Sequence, residues 1–288
     1  MAGAHIPSDA LGQPEGGSAE ERLERGEVLF WPTAPFAVPE GDDRAFLLQQ
    51  RRSGLGHKHI CHNPHTGETT GFMRQSAEQA ERLRTILANF SRGVTHWLGE
   101  VLPRYRGGCE PDRATFRPEE EAIRRVRLNA RNDLLHVDAF PTRPARGRRI
   151  LRIYANLHPT DPRIWATSEP LPRLLSRYSG RLRRSSVGWM QTLGANVRAL
   201  LHPPQERHSP ADLFMLRLHD ALKRDVRFQQ KGSRRLWRFP PGSAWLVMTD
   251  GCSYAELRGQ YALEHSFFVA PKVLACPELA PAALIEAA

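Results

Sequence analysis

His136-Val137-Asp138 is the sharpest chemical signal in the chain. On an extended segment, residues i and i+2 point to the same side. An imidazole nitrogen and a carboxylate oxygen can then reach one cation together. Those are two of the three ligands that hold non-haem Fe(II) on one face and leave the other face open. The third ligand should come from a late strand after a turn, and two residues compete for it. Tyr254 follows the Asp250-Gly251 turn, and His265 lies farther on, within Leu263-Glu264-His265-Ser266-Phe267. Imidazole is the commoner ligand for such iron. A phenolate suits ferric iron better than a site that works through Fe(II).

Arg152, Tyr154 and Asn156 share one face of the alternating run Arg149 to Leu157. A guanidinium there could clamp a dicarboxylate through its planar fork. Arg152 is therefore the candidate anchor for an anionic co-substrate, with Asn156 beside it. A second cluster, His57 to His65, has the composition of a zinc site but the spacing of none, and reads as a polar strand and turn. There is no P-loop, no GxGxxG and no GxSxG.

The elements that position these residues follow from periodicity. Ser76 to Val101 repeats apolar residues at three and four, with Ser76 as N-cap and Pro103 beyond the end. Ser209-Pro210-Ala211-Asp212 opens another helix, and Pro118-Glu119-Glu120-Glu121 a shorter one. Order is expected to begin near Gly26 to Trp31, with strands at Phe46 to Leu48, His59 to Cys61, Arg149 to Leu157, Trp237 to Phe239, Ser243 to Thr249 and Gln260 to Val269. Helices beside short antiparallel strands give an α+β fold, and the strand spacing suits a jelly roll.

The chain has 288 residues, 40% hydrophobic and 25% charged, which excludes a wholly disordered protein. No apolar run reaches the roughly 18 residues of a membrane span. Residues 1–26 read as a disordered leader without the features of a secretory signal, and 27–288 as a single domain. The four cysteines are widely spaced, with no CxxC, as expected of free thiols in a reducing cytoplasm. Net charge is +10, and all the basic residues except Lys58, Lys223, Lys231 and Lys272 are arginines. Basic clusters at 146–149 and 179–186 favour an anionic partner. Charge is the sole argument for nucleic acid, since no RNA-binding signature or zinc finger accompanies it.

The run from Leu135-His136-Val137-Asp138-Ala139-Phe140-Pro141 through Tyr154 resembles the Kdo hydroxylases. These bacterial enzymes hydroxylate the 3-deoxy-D-manno-octulosonic acid of lipopolysaccharide. The resemblance resumes at Pro159 to Trp165, Phe239 to Trp245 and Gly259 to Glu264. It implies a double-stranded β-helix barrel buttressed by helices, using Fe(II), 2-oxoglutarate and O2. It implies His136 and Asp138 as iron ligands and places Tyr254 where the family's distal histidine is expected. The implied substrate is Kdo in a lipid A-linked glycolipid of a Gram-negative bacterium. The implied setting is the cytoplasm, with peripheral contact at the inner membrane. The Tyr254 position leaves a second expectation, a non-catalytic relative that binds an anionic glycan or glycolipid.

Overall fold

The computed structural model describes residues 16–54, 58–73, 76–121, 126–184 and 207–288. Ten strands form two antiparallel sheets. They are β1 (Val28–Trp31), β2 (Ile60–His62), β3 (Thr69–Thr70), β4 (Cys109–Arg117), β5 (Arg149–Asn156), β6 (Arg163–Pro170), β7 (Arg235–Phe239), β8 (Ala244–Met248), β9 (Cys252–Arg258) and β10 (Ala262–Val269). The large sheet runs β1-β8-β5-β10-β4-β2-β3 and the small one β7-β6-β9. The helices are α1 (Ala19–Glu24), α2 (Gly41–Gln49), α3 (Ala77–Val101), α4 (Leu171–Arg184), α5 (Pro210–Arg224), α6 (Val226–Lys231) and α7 (Pro281–Ala287). This is the expected α+β barrel with helical buttresses.

Helix α3 forms where its periodicity requires. Ser76 and Gln79 close a capping box, and all eight apolar stripe positions from Leu83 to Val101 are buried. Each such side chain contributes about 1.5–3 kcal/mol on burial. The stripe packs with Ile153, Leu151, Leu246, Leu263 and Phe267 on the outer face of the large sheet. Helices α4 and α5 cover the outer face of the small sheet, meeting Ala166, Ala255 and Val137. Between the sheets, one end of the barrel is filled by aromatic rings. Trp245 stacks on Phe239 at 3.9 Å and on Tyr154 at 5.1 Å, and Trp165 stacks on Tyr254 at 5.0 Å. The other end stays open.

Three local expectations are corrected. Phe46 to Leu48 lies in helix α2, not a strand. Three apolar residues set no period, and Leu47 alone is buried, while Asp42 and Asp43 sit at the positive end of the helix dipole. Residues 118–120 are non-helical, with Glu120 accepting from Gly259 N at 2.6 Å and the Pro118 carbonyl accepting from Gln260 Nε2 at 2.8 Å, and 3-10 geometry begins only at Glu121. Residues 122–125 of that expected helix lie outside the described residues. The expected leader also contains order. Residues 19–24 form helix α1, capped by Ser18 and Glu21, with Leu23 in the core. Residues 1–15 lie outside the described residues.

Candidate metal and anion site

Residues 132–138 run beside β9 as a further extended segment. His136 and Tyr254 exchange backbone hydrogen bonds at 3.0 and 2.9 Å, and Glu256 N donates to Asn132 O at 2.8 Å. Asp138 N donates to Thr249 O at 2.8 Å. The Gln229 side chain clamps Leu135 from outside, accepting from its N and donating to its O. This pinning fixes side-chain parity. Val137 faces the helices, while His136 and Asp138 face the space between the sheets.

His136 Nδ1 donates to Leu134 O at 2.7 Å, so Nε2 is the nitrogen left with a lone pair. Burial first, then the positive charge of Lys223, holds the His136 pKa well below its usual value, so the ring is neutral and fit to be a ligand. Nε2 lies 3.9 Å from Asp138 Oδ1. Asp138 Oδ2 is buried and makes no aligned hydrogen bond, although Arg152 Nε sits 2.9 Å away. One lone pair from each residue is thus available to a single cation. The Tyr254 hydroxyl completes the cluster, donating to Asp138 Oδ1 at 3.1 Å. Burial, then the charge of Asp138, drives the Tyr254 pKa well above its usual value and keeps it a phenol. Among the described residues no three His, Cys, Asp or Glu side chains gather as a metal site.

The cluster opens into a cavity of about 620 Å³. Its wall is the inner face of the large sheet, where register sets Arg113, Ser266 and Arg152 in one row and Thr115, Glu264 and Tyr154 in the next. Arg152 Nη1 is 2.9 Å from Glu264 Oε1. Arg117 Nε reaches Glu264 Oε2 at 2.9 Å, and its Nη1 reaches Glu256 Oε1 at 2.6 Å. Burial alone would push the Glu264 pKa up, but Arg117 and Arg152 outweigh it and bring it down to about 2. The cavity floor is therefore an ionised network.

The profile of 3-deoxy-D-manno-oct-2-ulosonic acid (Kdo) hydroxylase matches residues 10–288. The chain belongs to the Kdo hydroxylase family. No curated protein matches it. Among solved structures, the apo form of the Kdo hydroxylase KdoO, a non-heme Fe(II) alphaketoglutarate dependent dioxygenase, is 31% identical. It superposes with a TM-score of 0.84 over 93% of this chain and 88% of that one. The cobalt(II) complex of KdoO gives 0.85 at 30% identity, and its complex with alphaketoglutarate and Fe(III) gives 0.83 at 30%, both with the same coverage.

Within this family member, the sequence candidates divide by position. His136, Asp138, Tyr254 and Arg152 meet at the cavity. His265 does not. It alternates with Glu264 and Ser266, so it faces helix α3 on the opposite side of β10, where Nε2 bonds Ser91 Oγ at 2.8 Å. Asn156 is also removed from the site. Its amide donates to Asp161 O and Phe239 O, each at 3.0 Å, and clamps a turn. Residues 58–65 are the polar strand and turn that the spacing suggested, with β2 at Ile60–His62, His62 bonded to Thr69 and His65 to Pro111. His57 lies outside the described residues. Arg149, expected in a basic patch, is fully buried and paired with Asp250 at 3.0 Å. Gly251 permits this pairing, because a Cβ there would lie 2.4 Å from Arg149 Nη2.

Sequence reasoning missed Glu264, Arg117 and His219. The parity of β10 signals Glu264, once Arg152 is placed inward. His219 on α5 packs edge-on to His136, 5.0 Å between centroids, and its Nδ1 lies 2.8 Å from Val137 O. It buttresses the residue between His136 and Asp138.

A prediction separates His265 from the metal cluster. Burial lowers its pKa to about 4, against 6.5 when unfolded. The unfolded chain therefore takes up the proton first as pH falls, and stability drops between those two values, by about 3 kcal/mol in full. In urea unfolding at about pH 7 and about pH 5, His265→Leu should shrink this loss. Fe(II) affinity should not change. A loss of iron binding in that variant would place His265 among the ligands.

Proposed function

We propose that this chain is an Fe(II)- and 2-oxoglutarate-dependent hydroxylase of Kdo in a lipid A-linked glycolipid. The carrying observation is the neutral His136 and ionisable Asp138 on one face of a cation-lined cavity, in a member of this family. The residues fit a metal held by His136 Nε2 and Asp138, with the Tyr254 hydroxyl beside them. When bound, iron with 2-oxoglutarate supplies the oxidising chemistry for a C–H bond. The protein's part is placement. Leu134 O fixes the imidazole tautomer. Arg152, beside Asp138, would offer its fork to a carboxylate of the co-substrate. Glu264 and Tyr154 hold it in place. The aromatic end of the barrel keeps water from the closed side.

Tyr254 favours a second reading, a relative that binds the glycolipid without turnover. A neutral phenol is a weaker third donor than imidazole. One experiment decides between the readings: anaerobic Fe(II) loading, then O2, 2-oxoglutarate and Kdo-lipid A, followed by mass spectrometry of the glycolipid. A gain of one oxygen atom supports the enzyme. Glycolipid binding with no product supports the second reading, and Tyr254→His should then tighten Fe(II) binding and install turnover.

Access to such a substrate fits a peripheral seat on the cytoplasmic face of the inner membrane. Arg173, Arg177 and Arg181 are exposed at four-residue spacing along α4. Among the described residues no helix is long and apolar enough to cross a membrane. Binding to anionic vesicles should fall steeply with salt, and salt-indifferent binding would refute this seat.

A further inference from the structure

Five cationic side chains line the cavity, Lys58, Arg113, Arg117, Arg143 and Arg152, against three carboxylates, Asp138, Asp220 and Glu264. Arg113 lies at the outer row of the wall, inward on β4. Its one hydrogen bond among the described residues is to the Cys61 sulfur at 3.5 Å. A thiol is a weak acceptor, so most of a five-donor guanidinium is left to water or a ligand. Arg143 comes from the loop after Asp138 and lines the same mouth. It pairs with Asp112 and lies over the Phe140 ring at 4.3 Å. Arg152 lies 5.1 Å from the centroid of that ring too. Two guanidiniums thus crowd one aromatic ring, and burial followed by the like charge of Arg152 lowers the Arg143 pKa. Arg152 is engaged by Asp138 and Glu264, so the guanidinium donors left for a further anion are those of Arg113 and Arg143 at the mouth.

The two ends of this cationic wall are not equivalent. Arg152 is beside Asp138 and is engaged by Glu264. Arg113 and Arg143 are near Cys61 and Asp112, toward solvent. The loop bearing Arg143 is held in place. Ala145 N and Arg146 N both donate to Asp212 Oδ1, at 2.9 and 3.1 Å, and Asp212 is itself the capping-box residue of α5. Arg146 takes a positive φ of 53° to make this turn. The mouth is therefore a formed surface, set against the open side of the His136–Asp138 face.

We propose that Arg113 and Arg143 form a carboxylate subsite for the acceptor sugar acid, separate from the Arg152 seat for the co-substrate. This rests on the function proposed above and names the residues that recognise its substrate. The planar carboxylate at the sugar's anomeric carbon matches a guanidinium fork. Holding it at the mouth would direct the rest of the ring toward the metal face. The same carboxylate chemistry is present in 2-oxoglutarate, so the test must separate the two sources.

The experiment measures equilibrium binding by calorimetry to the full chain loaded with Co(II), without O2. The probes are 2-oxoglutarate, the methyl glycoside of Kdo, and that glycoside as its methyl ester. Arg113→Gln and Arg143→Gln should each weaken glycoside binding about 10- to 100-fold. Neither should change 2-oxoglutarate affinity. The ester should bind the original protein as weakly as the acid binds the variants. Equal glycoside affinity in variants and original would overturn the subsite and leave the function standing. A loss confined to 2-oxoglutarate would assign both arginines to the co-substrate and overturn it too. No glycoside binding by the original protein would refute subsite and Kdo substrate together.

Discussion

Asp138→Asn is expected to weaken Fe(II) binding by roughly 100-fold or more, and to stop hydroxylation with it. The change keeps the shape and an oxygen that can accept from the Tyr254 hydroxyl, now at 3.1 Å. It removes the negative charge, the stronger half of a two-residue grip. Arg152 keeps Glu264 at 2.9 Å, so the wall of the cavity should survive. Thermal unfolding should shift little beside the metal effect. Anaerobic titration with Fe(II), followed by circular dichroism to confirm the fold, checks this. Unchanged iron affinity would remove Asp138 from the metal site.

Arg117→Met should destabilise the protein by about 3–5 kcal/mol. Arg117 is buried and contacts Glu264, Glu256 and Glu121. Arg163 shares Glu256 at 2.6 Å but does not reach Glu264. Arg163 also reaches Glu121 at 3.7 Å, but among the described residues Arg117 alone contacts all three carboxylates, so its removal leaves buried charge short of a partner. Adding Glu264→Gln to the variant should recover part of the loss, because the uncompensated charge goes with it. The pH dependence follows from the same contacts. The Glu264 pKa is depressed to about 2 from 4.5, so its stabilisation is present above 4.5 and fades as pH falls toward 2. Arg117→Met should flatten that acid limb in urea unfolding. An unaltered limb would mean that Arg152 alone holds the carboxylate ionised.

The shared direction of His136 and Asp138 and the longest helix were plain in the sequence for local reasons. His136 and Asp138 need only an extended backbone to face one way, and α3 needs only its own periodicity and cap. Arg152 was legible because strand alternation is equally local. The third position needed a partner strand. Tyr254 faces His136 because β9 lies beside 132–138, a pairing across more than a hundred residues that no local pattern encodes. His265 attracted attention by its residue type. The register of β10 against β5 turns it toward Ser91 and brings Glu264 inward instead. Asn156 shared a face with Arg152 but lies at the strand end, where its amide closes a turn. Helix α1 was hidden because a Gly- and Glu-rich stretch looks unstructured until Leu23 finds its core.

That small helix sets the order of events in folding. Glu24 accepts hydrogen bonds from Ala275 N at 2.8 Å and Cys276 N at 2.6 Å, across separations of 251 and 252 residues. Tyr105 adds its hydroxyl at 2.7 Å. The carboxylate thus ties α1 to a segment far along the chain, so α1 docks fully only once that segment is in place, and this seam should be among the last parts to gain protection from hydrogen exchange on refolding.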